Sequence, residues 1–458
     1  MRLNVLKLIE YDAPVPLRTH EGGPAIVLTE EQALRRAVLS CMLWEKEFYE
    51  DGAEIAGRIG ALVPRVAAEK VAALAVEARE RMKLRHVPLV LVREMARYAS
   101  HRGLVAETLA RVIQRADELA EFVAIYWAEG KKPLSAQVKK GLAAAFAKFD
   151  EYALAKYDRA GSVRLRDVLF LCHAKPVDAA QAALWKRLAQ NELATPDTWE
   201  VALSVAGLAN PVLKGPSKLE VWERLLAERK LGGLALLRNL RNMREAGVRE
   251  ELVLGALAAM KTERVLPFRF LAAARKAPQW EEALELAMFR ALAGRASLLG
   301  HTVLLVDVSG SMTYELSRRS EMTRNDAAFG LAILLREIAE KVTIYTFSDN
   351  AKQAPARRGL ALRDALKHNQ PNGGTYLGAS IQQVEREVGA YDRLIVITDE
   401  QAHDAVGRPN PDLGGRGYMI NVASNRNGVG YGAWTHVDGF SEAVVDYIVE
   451  LERAAGRA

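Results

Sequence analysis

At 458 residues the chain exceeds what one hydrophobic core normally serves, so two structural units are expected. Apolar and charged fractions of 50% and 26% are those of a folded globular protein and exclude a low-complexity or disordered chain. With only Cys41 and Cys172, a disulfide framework and a zinc cluster are excluded too, and both thiols are expected to be buried.

Residues 1–30 read as an irregular arm rich in Pro and Gly, ending at Thr29, a candidate N-cap for a helix through Ala33 to Glu47. From there to about Ala293 the pattern is helical. Apolar residues recur at i, i+3, i+4 and i+7 over 53–63, 66–83, 88–98, 104–127, 135–157, 163–172, 178–190, 217–229, 231–244, 249–260, 264–276 and 280–293. Short breaks carrying Gly or Pro separate most of these segments, so each amphipathic helix must bury its stripe on a neighbour, which makes an α-solenoid. No fixed repeat period is detectable.

Near Arg295–His301 the period changes. Apolar strands over 302–306, 342–347, 393–398, 418–422 and 435–438 alternate with helices over 325–340, 360–368, 376–389 and 441–454. Such alternation predicts an open, mostly parallel α/β sheet that binds ligands at the carboxyl ends of its strands. The domains expected are therefore 1–298, helical, and 299–458, α/β.

The first strand ends in Asp307-Val-Ser309-Gly-Ser311. A Gly373-Gly374-Thr375 turn and Asp399, just past the strand ending in Thr398, would reach the same edge. Asp307, Ser309, Ser311, Thr375 and Asp399 form an all-oxygen set of two carboxylates and three hydroxyls, which suits a hard divalent cation, Mg²⁺ before Ca²⁺. The spacing resembles the metal-ion-dependent adhesion site of von Willebrand factor A domains. The segment lacks a second acid where a phosphoaspartyl enzyme has one, and Asp307-Val-Ser-Gly-Ser is no nucleophile elbow, so a noncatalytic protein is expected. Gly428-Val-Gly-Tyr-Gly432 reads as a loop.

The net charge of +6 is unevenly placed: residues 299–458 hold 17 basic and 20 acidic side chains, residues 1–298 hold 46 and 37. Ten of the basic residues fall between Lys131 and Lys175, a composition that favours a polyanion. Arg164 and Arg166, at a helix start where a cation gains nothing from the dipole, lean toward a ligand role. Arg238 and Arg241 are open to either ion pairing or contact with such a polyanion.

A helical unit running directly into this α/β domain resembles the TROVE module of the Ro ribonucleoprotein autoantigen family. The matching words are Ala155-Lys156-Tyr157, Arg166 through His173 to Pro176, Leu234 through Met243, Pro267-Phe268, Thr346-Phe-Ser-Asp349, Gly373-Gly-Thr375 and Thr398-Asp399, from about residue 25 to the end. The resemblance implies a ring of HEAT-like helical repeats whose ends the A-type domain joins, in a monomer. It also implies binding of small noncoding Y-like RNA on a basic outer surface, capture of 3′ ends of misfolded RNA in a central hole, and, in some bacterial relatives, work with polynucleotide phosphorylase. Lys156 and His173 match family RNA contacts. A family Arg falls at Ala160, beside Arg159. The RNA-binding set expected is thus Lys156, Arg159, Arg164, Arg166, His173 and Lys175. A protein-interaction adaptor that coordinates a partner carboxylate through its metal is the alternative, distinguished by the salt dependence of RNA binding. No apolar run approaches the roughly 18 residues a membrane helix needs, and no signal-peptide core is present, so a cytoplasmic protein is expected.

Overall fold

The computed structural model describes residues 17–39, 52–158, 161–196, 198–207, 216–262, 265, 267–317, 320–423, 427–439 and 443–454. Cys41, Arg159 and Ala160 lie outside them. Helices from Glu30–Leu39 to Glu281–Leu292 precede the sheet. Through much of the unit each helix contacts the one two places further on, which stacks them as pairs.

Two expected helices are each divided. The segment 104–127 is Arg102–Val112 and Asp117–Tyr126, because the buried Glu118 carboxylate accepts the backbone N–H groups of Gln114 (2.8 Å) and Arg115 (3.0 Å) and starts a new helix there. Glu118 is neutralised by Arg79 at 2.7 Å. The segment 135–157 is Ala136–Phe146 and Glu151–Tyr157, where the Asp150 side chain caps Ala153 N–H at 2.8 Å. A helix at Trp199–Gly207, not expected from the periodicity, places Trp199 in a stack with Trp222, ring centroids 6.1 Å apart. The Cys172 thiol is buried, as expected. Among the described residues no helix is long and apolar enough to cross a membrane.

The α/β part holds strands β1 (Leu298–Asp307), β2 (Glu315–Ser317), β3 (Ser320–Thr323), β4 (Ala339–Phe347), β5 (Ala351–Gln353), β6 (Arg393–Thr398), β7 (Arg416–Asn421) and β8 (Thr435–Asp438). Six of them form one sheet in the order β5-β4-β1-β6-β7-β8, parallel except for β5. The β2–β3 hairpin and the β5 edge strand were not expected, being short and polar. The chain runs from β1 outward to β4, then crosses to β6 on the other side, so the strand order reverses at β1, whose last residue is Asp307. That is where open α/β sheets bind ligands.

Alternation along β1 serves two cores. Val303 and Leu305 face a core confined to the sheet and its outer helix, whereas Leu304 and Val306 join the core that runs through the helical unit. No linker separates the two units. The helix Arg324–Ile338 is buried nearly all round between the sheet and the helix Pro267–Lys276. At Gly330 a Cβ would stand 3.3 Å from that of Phe268, so the small residue permits the approach. At the other end, the helix Glu30–Leu39 contacts β8. The α/β part therefore touches both the first and the last described helices of the solenoid, the arrangement of a ring.

Candidate functional site

At the carboxyl edge of the sheet, Asp307 is fully buried, and both of its oxygens are held: Oδ1 accepts Ser309 N–H (2.8 Å) and Oδ2 accepts the Thr398 hydroxyl (2.6 Å). The Ser309 and Ser311 hydroxyls stand 3.3 Å apart. Gly310 N–H donates to Gly373 O at 3.0 Å, which ties this loop to the turn carrying Thr375. That turn is held by Asp349, whose carboxylate accepts Gly374 N–H at 2.7 Å; a Cβ on Gly373 would meet it at 2.1 Å. Asp399, also fully buried, completes the group. Asp307, Ser309 and Ser311 thus share one loop, Thr375 follows the turn tied to that loop, and Asp399 is near enough to act on the Asp307 charge.

Burial first, and the Asp399 charge second, push the Asp307 carboxyl up to about 7. Among the described residues no group of three or more His, Cys, Asp or Glu side chains is placed to share a metal. Two carboxylates with three hydroxyls remain, donors that fit Mg²⁺ and not a soft ion. One residue was missed in the sequence: Arg324, first in the helix after the Thr323 cap, reaches back to Asp399 Oδ2 at 3.0 Å and is itself buried. Half of the local negative charge is therefore already answered by protein, and a cation bound here would chiefly answer Asp307.

Next to Asp399, Glu400 adopts a left-handed backbone, φ 62°, which costs a non-glycine residue about 1 kcal/mol. Its buried carboxylate meets Arg36 of the first described helix at 2.9 Å, His436 of β8, and Gly430 N–H at 3.1 Å. Arg36 also donates to Asn427 O at 3.2 Å. His436 lies 3.4 Å from Asp438 and stacks on Tyr431, whose hydroxyl donates to Asp438 at 2.8 Å. The arm ahead of that helix lies on the same edge: the Thr19 hydroxyl donates to Ala402 O (2.7 Å), His20 N–H to Gln401 Oε1 (2.7 Å) and Ile26 N–H to Gly428 O (3.0 Å). This clasp joins residues some 400 positions apart and had no local signal in the sequence.

In the basic segment the expected residues fare differently. Arg164 is held by Asp158 at 2.8 Å, Arg166 stands 3.9 Å from Asp167, and Arg159 lies outside the described residues. Lys148 is structural, donating to the carbonyls of Ala110 and Ile113 at the end of the helix Arg102–Val112. Lys156 lies over the rings of Tyr152 and Tyr157, 5.8 Å from each centroid. His173 ends the helix Leu165–Cys172 with φ 54° and is exposed, as is Lys175. Arg166, Phe170 and His173 stand at i, i+4 and i+7 on the outer face of that helix, opposite buried Leu165, Val168, Leu169 and Cys172. Phe170 is 62% exposed and Tyr152 51%, large aromatic surfaces that the sequence reading passed over. The helices bearing them both contact Ala179–Gln190.

The TROVE domain model matches residues 186–320, and the von Willebrand factor type A domain model matches residues 302–401. The first match begins after the Lys156–Lys175 segment; the second contains all five oxygen-bearing residues. Telomerase protein component 1 of Mus musculus is 40% identical over 86 residues, which is 18% of this chain and only 3% of that protein's length. The crystal structure of the RO (RSR) protein of Deinococcus radiodurans superposes with a TM-score of 0.63 at 20% identity, covering 93% of this chain and 100% of that one. Two overlapping domain matches and a shared fold over nearly the whole length converge: a segment that matches the TROVE domain model runs into one that matches the von Willebrand factor type A domain model, on the fold of the Deinococcus radiodurans RO (RSR) protein.

Proposed function

We propose that the chain is a noncatalytic RNA-binding protein that takes a small structured RNA on the surface carrying Lys156, His173 and Lys175, and single-stranded 3′ ends through the ring, in RNA quality control. The observation that carries this reading is a contrast in charge pairing. Upstream, Arg79, Arg85, Arg93, Arg97, Arg111 and Arg115 each meet a carboxylate. Among the described residues, Lys139, Lys140, Lys156, His173 and Lys175 have no ion-pair partner, and exposed Tyr152 and Phe170 accompany them. Cations without counterions replace condensed ions along a phosphate backbone, and aromatic faces beside them stack on unpaired bases. The TROVE match and the Ro fold support the same reading. In the α/β part, Asp307, Ser309, Ser311, Thr375 and Asp399 would hold Mg²⁺, which when bound offers a coordination position to an incoming anionic oxygen.

The test is the double variant Lys156→Ala, His173→Ser. Binding of a structured RNA, followed by fluorescence anisotropy, is expected to weaken about tenfold, with the slope of log affinity against log salt shallower by roughly one to two and the melting temperature unchanged. Equal affinity in variant and wild type would remove this surface from the reading.

A further inference from the structure

A second basic concavity lies well along the chain from Lys156, where the helices Gly233–Glu245 and Pro267–Lys276 meet strand β3. It encloses about 320 Å³ and is walled by Arg238, Arg241, Arg269, Arg275 and Lys276, with Glu321 as the acid on its rim. Most of these charges are spoken for. Arg275 grips Asp326 at 2.6 and 2.8 Å, Lys276 pairs with Glu321, and Arg241 pairs with Glu245 at 3.4 Å. Arg238 and Arg269 are not: among the described residues neither meets a carboxylate, and the contact found for Arg269 is with the face of Phe268, 5.0 Å from its centroid.

Two guanidiniums with no counterion repel one another. Burial, and then the like charge of Arg238, hold the Arg269 guanidinium below its ordinary value. Both side chains nonetheless remain accessible to solvent. Arg269 is surrounded by protein yet reachable, the condition of a group on a concave wall. Arginine forks match the oxygens of a phosphate, and an anion between the two would turn repulsion into two charge-assisted contacts. The concavity is larger than a lone phosphate requires, and Leu234, 41% exposed, supplies apolar surface beside the cations. The buried apolar residues of that helix are Leu236, Leu237, Leu240 and Met243, which leaves Leu234 on the cleft wall.

We propose that this cleft is a phosphate-binding site whose occupant is a phosphodiester group of a single-stranded segment of bound RNA, with Arg238 and Arg269 gripping the phosphate and Leu234 carrying the adjoining ribose or base. The choice of occupant rests on the RNA-binding reading above. The site is separate from the Lys156–Lys175 surface in sequence and stands on different helices.

The experiment uses the full chain with R238Q/R269Q and the charge-keeping R238K/R269K. It measures affinity for a single-stranded oligoribonucleotide across a salt series, and the melting temperature with and without inorganic phosphate. R238Q/R269Q is expected to bind the oligoribonucleotide roughly tenfold more weakly at low salt, with a salt slope shallower by about 1.4, two single-strand phosphate contacts' worth. R238K/R269K should recover the slope, and the melting temperature without phosphate should not fall in either variant. Wild-type RNA binding with an unchanged slope in R238Q/R269Q overturns the proposal. If the wild type binds no RNA at any salt, the RNA reading itself has failed; phosphate protection lost in R238Q/R269Q would then still support the cleft as a phosphate site, and its absence in the wild type would overturn that as well.

Discussion

Mg²⁺ is expected to raise the melting temperature of the wild-type protein, and Asp307→Ala to abolish that rise. A ligand bound only by the folded state stabilises by about 2.7 kcal/mol at a hundred times its dissociation constant, so the lost response is large and easily read. The sign of the metal-free comparison is the reverse of intuition. Asp307 is raised to about 7 by burial and by Asp399, from an ordinary value of 3.8. Between those values the folded state binds more protons than the unfolded state, so metal-free stability falls as pH rises from about 4 to about 7. Asp307→Asn removes that slope, and above neutral pH it should match or exceed the metal-free wild type. Thermal melts at several pH values, with and without Mg²⁺, test both statements, and an unaltered Mg²⁺ response in Asp307→Ala would place the metal elsewhere.

Glu400→Gln is expected to destabilise the protein by about 3–5 kcal/mol, the usual cost of leaving one partner of a buried ion pair unanswered. Arg36 and Glu400 are both fully enclosed. Burial alone would raise the Glu400 carboxyl, but Arg36 and His436 outweigh it and hold it well below the usual carboxylate range. Its contribution is therefore complete above the ordinary value of 4.5 and is lost as pH falls below it. Replacing both partners, Arg36→Met with Glu400→Leu, should cost much less than Glu400→Gln alone, because no orphaned charge remains. Denaturant titration gives the energies. Limited proteolysis of the segment around Thr19–Ile26 reports whether the arm has come away. Wild-type stability in Glu400→Gln would show that the clasp holds nothing.

The oxygen-bearing residues proposed to hold a metal could be picked out because most of them are local. Asp307, Ser309 and Ser311 fall within five residues at a strand end, and only Thr375 and Asp399 had to be brought in by topology. Arg324 was not legible: a basic residue after a Thr cap is ordinary, and its aim at Asp399 depends on the packing of a helix that starts beside the site. The Arg36–Glu400 pair spans 364 positions and leaves no local trace. Helix periodicity found nearly every helix but ran through the break at Ile113–Ala116, which has neither Gly nor Pro and is made by Glu118 folding back on the chain. Charge counting found the basic half, yet it could not tell Arg164, which answers Asp158, from Lys156, which answers no carboxylate among the described residues. Arg238 and Arg241, indistinguishable by spacing, separate only when Glu245 is seen beside the second.

The docking of Thr19 on Ala402 also sets the order of events at the ribosome. The two residues are separated by 383 positions. At synthesis rates of about 5–20 residues per second, the nascent helices wait on the order of tens of seconds before their closing partner exists. During that interval Arg36 and the flank of its helix that meets β8 lack their partners in the sheet, while the helices Gly52–Leu62 and Ala68–Glu80 already cover the helix elsewhere. Closure of the solenoid onto the sheet thus waits for Glu400 and β8, the partners its first described helix meets there.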